Sequence, residues 1–446
     1  MTVELSLDQR LKAVEENTWF GEYVRRKKRW QVFNEGHGVY LRDSEGNEYI
    51  DAHSGEFCAM LGHGNKKVIK AVQEQLEKIQ YPEGGHCDVS VRVCQRIAEL
   101  TPGDLNRVYL GLSGSDANEA ALSVARSYFK NQGKNNSMII ARWHSYHGMS
   151  SGAVGLTHIG KRLHGQDLAT VNHGVYHMLA PYCYRCGYGL EYPSCGTHCA
   201  KALDGVIQSM GTENVVAFMG EPVFGGGGSI VPPDEYWPMI RQICDKYGIL
   251  LILDEVITGW GKMGKLFACN YWDVVPDIMV CAKGISSAYL PVSAVISREH
   301  VYKTLKGQWP YYGHTHSFYP AGCACALATI DVIMEEKLWE NAAKVGAHLK
   351  NRLEEICQQS EIVGTVHGLG LLLGMEIVED KASKVPWARA ADIIRRSSRD
   401  KGVLIHVAGT TRHILSISPP MIITKDEADR VCDVLAEVIK ETEAQK

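Results

Sequence analysis

The chain has 446 residues and a net charge of −4, with 45% hydrophobic and 22% charged residues. This is the composition of a soluble globular protein, long enough for a large α/β domain with an appended lobe. The charge balance offers no grip on nucleic acid or an anionic membrane, and no apolar run approaches the ~20 residues that span a bilayer.

The start, residues 1–17, is mixed and acidic, unlike a signal or transit peptide. The fourteen scattered cysteines are therefore expected as free thiols in a reducing cytoplasm. Residues 1–35 have helical, amphipathic spacing, with Trp19, Phe20 and Tyr23 followed by a basic run from Arg25 to Arg29, read as a solvated helix end. Residues 38–51 carry two β-type runs around Ser44-Glu45-Gly46-Asn47, a hairpin signal. Val68–Ile79 has helical spacing.

Val108–Leu112 is a short apolar run leading into Ser113-Gly114-Ser115-Asp116-Ala117-Asn118-Glu119 and a helical pattern through Phe129. Small residues and hydroxyls at a helix amino end leave backbone N–H groups and a positive dipole end, which suit a phosphate. An ordinary N-cap is the alternative. Ser137–Ala141 is another buried strand, followed by Tyr146-His147-Gly148, where an aromatic past a strand end fits either a planar cofactor or the core. Val215–Gly220 is a further strand, ending in Glu221-Pro222, and Gly225–Gly228 makes a mobile or closely approached loop.

The stretch Ile249–Ser287 organises the rest. Its two apolar runs, Ile249–Leu253 and Ile278–Cys281, are short, rich in branched residues and barely alternate. Each reads as a parallel strand buried on both faces. Asp254 ends the first and Lys283 follows the second, where open α/β sheets place ligands. A desolvated lysine has a depressed pKa, as a Schiff-base nucleophile needs. Lys283 is thus read as the amine that binds the aldehyde of pyridoxal phosphate (PLP), and Asp254 as the partner of the pyridine nitrogen. Pro291–Ile296 is a further strand. Alternation of strand and helix over about 105–300 predicts a mostly parallel sheet with helices on both faces. Ala321–Glu336 and 339–358 read as helices. Strand-like Gly370–Ile377 and Ile414–Ile417, with two more helices, read as a smaller α+β domain.

These pieces together resemble the class III aminotransferases, fold-type I PLP enzymes that transaminate ω-amino groups. The resemblance spans nearly the whole chain. Its most specific part is Leu253-Asp254-Glu255-Val256-Ile257-Thr258-Gly259-Trp260-Gly261, then Pro276-Asp277-Ile278 and Ala282-Lys283-Gly284-Ile285-Ser286-Ser287. Ser113–Glu119, Tyr146-His147-Gly148, Glu221-Pro222-Val223 and Thr315-His316-Ser317-Phe318-Tyr319-Pro320 match further family motifs. Ala288 departs from a usual glycine.

The resemblance implies three segments: 1–55 as part of a small domain, 56–325 as the large PLP-binding domain, and 326–446 as the rest of the small domain. It implies Lys283 and Asp254 as catalytic residues. Gly114, Ser115 and Thr315 would serve the phosphate, Tyr146 and Val256 opposite ring faces, and Glu221 would belong to the cofactor site. Thr315 would act across a subunit boundary, implying a homodimer with shared active sites, or a tetramer built from it. The partners are then an amino donor and a keto acid.

Glutamate-handling relatives carry a glutamate–arginine gate, whose places here are Gly226 and Ser416. Loss of both is self-consistent, because a buried arginine needs a partner. The pattern resembles the pyruvate-using ω-aminotransferases. Their mobile arginine aligns with His406, and Arg412, a few residues on, is the candidate acid-group ligand. Trp19, Phe57 and Tyr146 are candidates for the donor pocket. The expected donors are taurine, β-alanine or similar. Rivals are a simple amine, or a β-amino acyl thioester drawn by Lys161, Arg162 and Arg185; an aminomutase or decarboxylating enzyme is another; a non-enzymatic binding protein on the same scaffold is a third, disfavoured by intact Lys283 and Asp254. Cys183, Cys186, Cys195 and Cys199 have a spacing able to hold zinc, but free thiols are the preferred reading.

Overall fold

A computed structural model describes residues 6–19, 31–159, 174–307 and 312–446. Phe20, Tyr23, the basic run 25–29, Lys161 and Arg162 lie outside the described residues.

Seven strands form the central sheet, in the order Leu105–Gly111, Ser293–Arg298, Ile278–Cys281, Leu250–Asp254, Val215–Gly220, Met138–Arg142 and Val175–Met178. The last five run parallel. Ser293–Arg298 runs antiparallel to both of its neighbours, so the sheet is mostly rather than wholly parallel. The apolar runs of the middle strands have a plain cause. Val215–Gly220, Leu250–Asp254 and Ile278–Cys281 are buried at every position, because helices cover both faces and no polar alternation is tolerated. Helix Gly114–Lys130 packs on this sheet with Ala117, Ala121 and Ala125 fully buried.

Two four-stranded sheets flank this layer. One joins the predicted hairpin, Tyr40–Asp43 with Glu48–Asp51, to Phe33–His37 and to Val403–Leu404 from the far end of the chain. Asp43 closes the turn by accepting from the Glu45 and Asn47 backbone N–H groups and from the Tyr49 hydroxyl, at 2.9–3.0 Å. The other sheet holds Val363–Leu369, Leu372–Ile377, Ile414–Ile417 and His406–Ala408. Sequence periodicity missed Val363–Leu369, a half-buried strand of mixed residues. The N-terminal helix is shorter than expected, Leu7–Asn17, and buries none of its residues. Among the described residues no helix is long and apolar enough to cross a membrane.

Register fixes the site. Leu253 pairs with Gly220, and Asp254 with Val280. The carboxyl ends of adjacent parallel strands therefore place Arg142, Glu221, Asp254 and Lys283 along one edge, where the crossover helices begin.

Candidate active site

A cavity of about 510 Å³ opens on this edge. Of the candidates, Gly114, Ser115, Tyr146, Glu221, Asp254, Val256, Lys283, Phe57 and Arg412 line it together.

Asp254 is 3% exposed and held by three partners. Its Oδ2 accepts from Asn118 Nδ2 at 2.9 Å and lies 2.7 Å from His147 Nδ1, while Oδ1 accepts from the Val256 N–H at 3.0 Å. Asn118 also donates to the His147 carbonyl at 2.6 Å, and the His147 N–H donates to Thr157 Oγ1 at 2.8 Å. Asn118 and His147 thus fix the carboxylate's orientation. Both stood inside recognised motifs, but only the fold shows what they hold.

Lys283 opens a short 3-10 turn with φ of +44°. Its Nζ donates to the Glu56 carbonyl at 3.0 Å and lies 5.0 Å from the Phe57 ring centroid. The side chain is half-buried on the cavity wall. This corrects the expectation of a fully desolvated amine at Lys283, because strand end and turn lift it out of the apolar layer. The fully buried lysine nearby is Lys262, whose amine burial lowers to about 7. Lys262 donates to Ser54 Oγ, Ser418 O and Pro419 O at 2.7, 3.2 and 2.7 Å.

Glu221 is buried, which pushes its carboxyl pKa up. It accepts from the Tyr146 and Gly225 backbone N–H groups at 3.0 and 2.9 Å, so it positions the loop that carries Tyr146. The glycine loop beyond is closely approached: a Cβ on Gly228 would fall 2.4 Å from Ile414 Cδ1.

Helix Gly114–Lys130 starts in the cavity wall, capped by Ser113, whose Oγ accepts from the Asp116 N–H at 3.2 Å. Asp116 turns away, accepting from the Leu112 N–H and lying 2.9 Å from His314 Nε2. That leaves first-turn N–H groups without intrahelical partners. Ser115 Oγ accepts from the Met149 N–H at 3.1 Å, which frees its proton for an anion. A Cβ on Gly114 would come within 3.0 Å of Val256, so only glycine keeps this cradle open.

Three candidates lie elsewhere. Thr315 is exposed on a turn and lines a separate cleft of about 960 Å³ with Tyr81, His86 and Phe318. Trp19 is fully exposed and is not among the residues lining the cavity. Ser416 is buried in its strand, whereas Gly226 lines the cavity and leaves it open where a gate side chain would stand. Arg185 is committed to Glu376 and to the Lys384 carbonyl, at 2.7 and 2.5 Å, so it is not free to draw a thioester's phosphates. All fourteen cysteines are free. Among the described residues no three of Cys183, Cys186, Cys195 and Cys199 bring their sulfurs close enough to share an ion.

The donor set suits PLP. An amine and a carboxylate stand on neighbouring strand ends, and a helix amino terminus opens between them and the solvent. Tyr146 and Val256 supply walls for a flat ring.

The description Aminotransferase class-III matches residues 23–439. A relative named putrescine–pyruvate aminotransferase, from Pseudomonas aeruginosa, is 33% identical over 423 residues, covering 93% of this chain and 91% of its own. An omega-aminotransferase of Caulobacter vibrioides is 32% identical over 428 residues, covering 93% and 94%. The solved structure of an (S)-enantioselective omega-transaminase from Thermomicrobium roseum superposes with a TM-score of 0.91 at 34% identity, covering 99% of this chain and 100% of that one. With fold, strand-end chemistry and near-full-length likeness in agreement, the chain belongs to the class III aminotransferases, a PLP-dependent family.

Proposed function

We propose that this protein moves the amino group of an ω-amino donor to a keto acid, pyruvate, in a ping-pong cycle. The observation that carries the reading is that Lys283 and Asp254 open on one cavity beside a free helix amino terminus. Bound PLP supplies an aldehyde that takes up amino groups and a ring that accepts the electron pair of a deprotonated carbon. Asp254, fixed by Asn118 and His147, would hold the ring nitrogen's proton. Gly114 and Ser115 would hold the phosphate, and Thr315 of the partner subunit would complete the cradle in a homodimer. Tyr146 and Val256 would flank the ring. Lys283 would bind the aldehyde, and its amine is placed to move a proton at the donor carbon.

Arg412 stands on the hairpin between His406–Ala408 and Ile414–Ile417, with φ of +52°. Among the described residues its guanidinium has no hydrogen-bond or ion-pair partner, and it lines the cavity. A free guanidinium is suited to two-point binding of a carboxylate. That supports a keto acid as acceptor, and taurine or β-alanine as acid-bearing donors. Pyruvate as acceptor is supported by the name of the P. aeruginosa relative. A simple amine donor is favoured by a different observation: a carboxylate, Glu56, opens on the same cavity.

Purified protein reconstituted with PLP is expected to show a visible absorbance band that borohydride removes. Lys283→Ala is expected to lose transamination by at least about a thousand-fold. A protein that binds no PLP, or a Lys283→Ala variant with full activity, overturns the proposal.

A further inference from the structure

Residues Ser54, Gly55, Glu56 and Phe57 all have positive φ, at 46°, 61°, 53° and 64°. One turn of left-handed helix is an unfavourable choice for three non-glycine residues. It is held from outside. Ser54 Oγ donates to the Ser418 carbonyl and accepts from buried Lys262 at 2.7 Å, while Phe57 is buried. The turn aims both polar groups of Glu56 at the reaction centre. Its carbonyl accepts from Lys283 Nζ, and its carboxylate faces the cavity with the side chain 71% exposed.

Three carboxylates line this cavity. Glu221 accepts from two backbone N–H groups and Asp254 from the partners described above, with one Oδ1 acceptor site left for a ring nitrogen. Among the described residues the Glu56 carboxylate has only histidines as hydrogen-bonding or ion-pair partners. Its neighbours are His53 Nε2 at 3.7 Å and His406 Nδ1 at 3.9 Å. The His53 side chain is 8% exposed, and beyond this ion pair its ring nitrogens meet no hydrogen-bond partner among the described residues. A cavity-facing carboxylate flanked by two imidazole nitrogens at 3.7 and 3.9 Å offers three acceptors to one cation.

Two ligands fit one carboxylate and two imidazoles: a metal ion or an ammonium group. The imidazole planes of His53 and His406 are stacked, 14° apart with centroids at 4.9 Å. In-plane lone pairs of stacked rings do not converge on one ion at the ~2.0–2.1 Å of a histidine–zinc bond. An ammonium has three donors and accepts longer bonds of about 2.7–3.2 Å, and its charge is matched by Glu56.

We propose that Glu56, with His53 and His406, binds the distal ammonium of the amino donor, so that preferred donors are diamines with a charged tail. This rests on the transaminase reading above and specifies its donor. Glu56 then receives the cationic tail in the first half-reaction, and Arg412 the acceptor's carboxylate in the second. Two groups of opposite sign do the work of the missing gate.

Holoenzyme is assayed with pyruvate against a chain-matched series, diaminopropane through diaminohexane beside the n-alkylamines of equal length. The best diamine is expected to exceed its monoamine about ten-fold in kcat/KM. In Glu56→Gln the ratio falls to within about two-fold of unity. In Glu56→Asp the optimum moves to a diamine one methylene longer. Calorimetry on borohydride-reduced holoenzyme, which cannot turn over, shows the same diamine-over-monoamine order. A wild-type ratio near unity, or a ratio unchanged in Glu56→Gln, overturns the proposal. So does zinc that binds the wild type, abolishes the preference and requires His53 and His406. An enzyme that uses monoamines without diamine preference loses this subsite and keeps the transaminase reading; one that transfers from no donor loses both.

Discussion

Ala288 shows how one side chain records a constraint. The sequence comparison marks it as a departure from glycine, and its φ of +65° gives the reason: the loop after Lys283 passes through the left-handed region at Ser287 and again at Ala288. That conformation costs an L-residue about 1–2 kcal/mol. Ala288→Gly is expected to raise stability by about 0.5–1 kcal/mol after the entropy that glycine loses on folding, read as an upward shift in Tm of the holoenzyme. Arg412 tests specificity at the same scale. Its guanidinium is unpaired among the described residues, so its removal leaves no buried charge stranded. Arg412→Ala is expected to raise KM for pyruvate at least ten-fold, about 1.4 kcal/mol, and to affect turnover of a neutral aldehyde acceptor far less. Equal losses on both acceptors would remove Arg412 from the acid site. Lys283, Asp254, Tyr146 and Val256 were legible because they follow strands in fixed order. Glu56 and His53 were not, because four residues of reversed handedness have no periodicity to read.

Elements decide where charge is tolerated. The strands Leu250–Asp254 and Ile278–Cys281 were plain in the sequence, since burial on both faces removes every polar position but the last. Their order was not, because pairing partners are distant in the chain. Nor was the reversal of Ser293–Arg298, whose apolar run looks the same in either direction. The turn Ser54–Phe57 is tied down by Lys262, an amine that burial lowers from 10.5 to about 7. The folded pKa of this base lies below its unfolded value. The unfolded chain therefore binds more protons between these limits, and stability rises with pH from about 7 toward 10.5. The penalty is present in full below about 7. The slope is expected to reach about 1 kcal/mol per pH unit. Lys262→Met should flatten it in urea unfolding across that range, while loosening the turn and lowering kcat/KM. An identical slope in both proteins would contradict a neutral buried amine.

At the scale of the whole molecule, the proposed homodimer gives a role to residues that stand outside the cavity of their own chain. Thr315 and the loop 312–319 face a broad cleft, with Tyr81 exposed beside them, and Trp19 stands clear of its own chain. The proposed dimer would bring Thr315 to the phosphate of the neighbouring site. Thr315→Ala is expected to weaken PLP retention several-fold, measured by dialysis. Mixing it with Lys283→Ala should yield a hybrid in which one of the two sites combines both defects and the other has neither. Restoration of activity on mixing would establish shared sites; its absence, with subunit exchange demonstrated by mass, would place Thr315 outside them.

The parallel pairing of Val403 with Ile50 has a consequence for biosynthesis. Some 350 residues separate the two, about 20 to 70 s of translation at ordinary rates. Through that interval the Glu48–Asp51 edge of the hairpin waits for the strand that pairs with it in the folded chain.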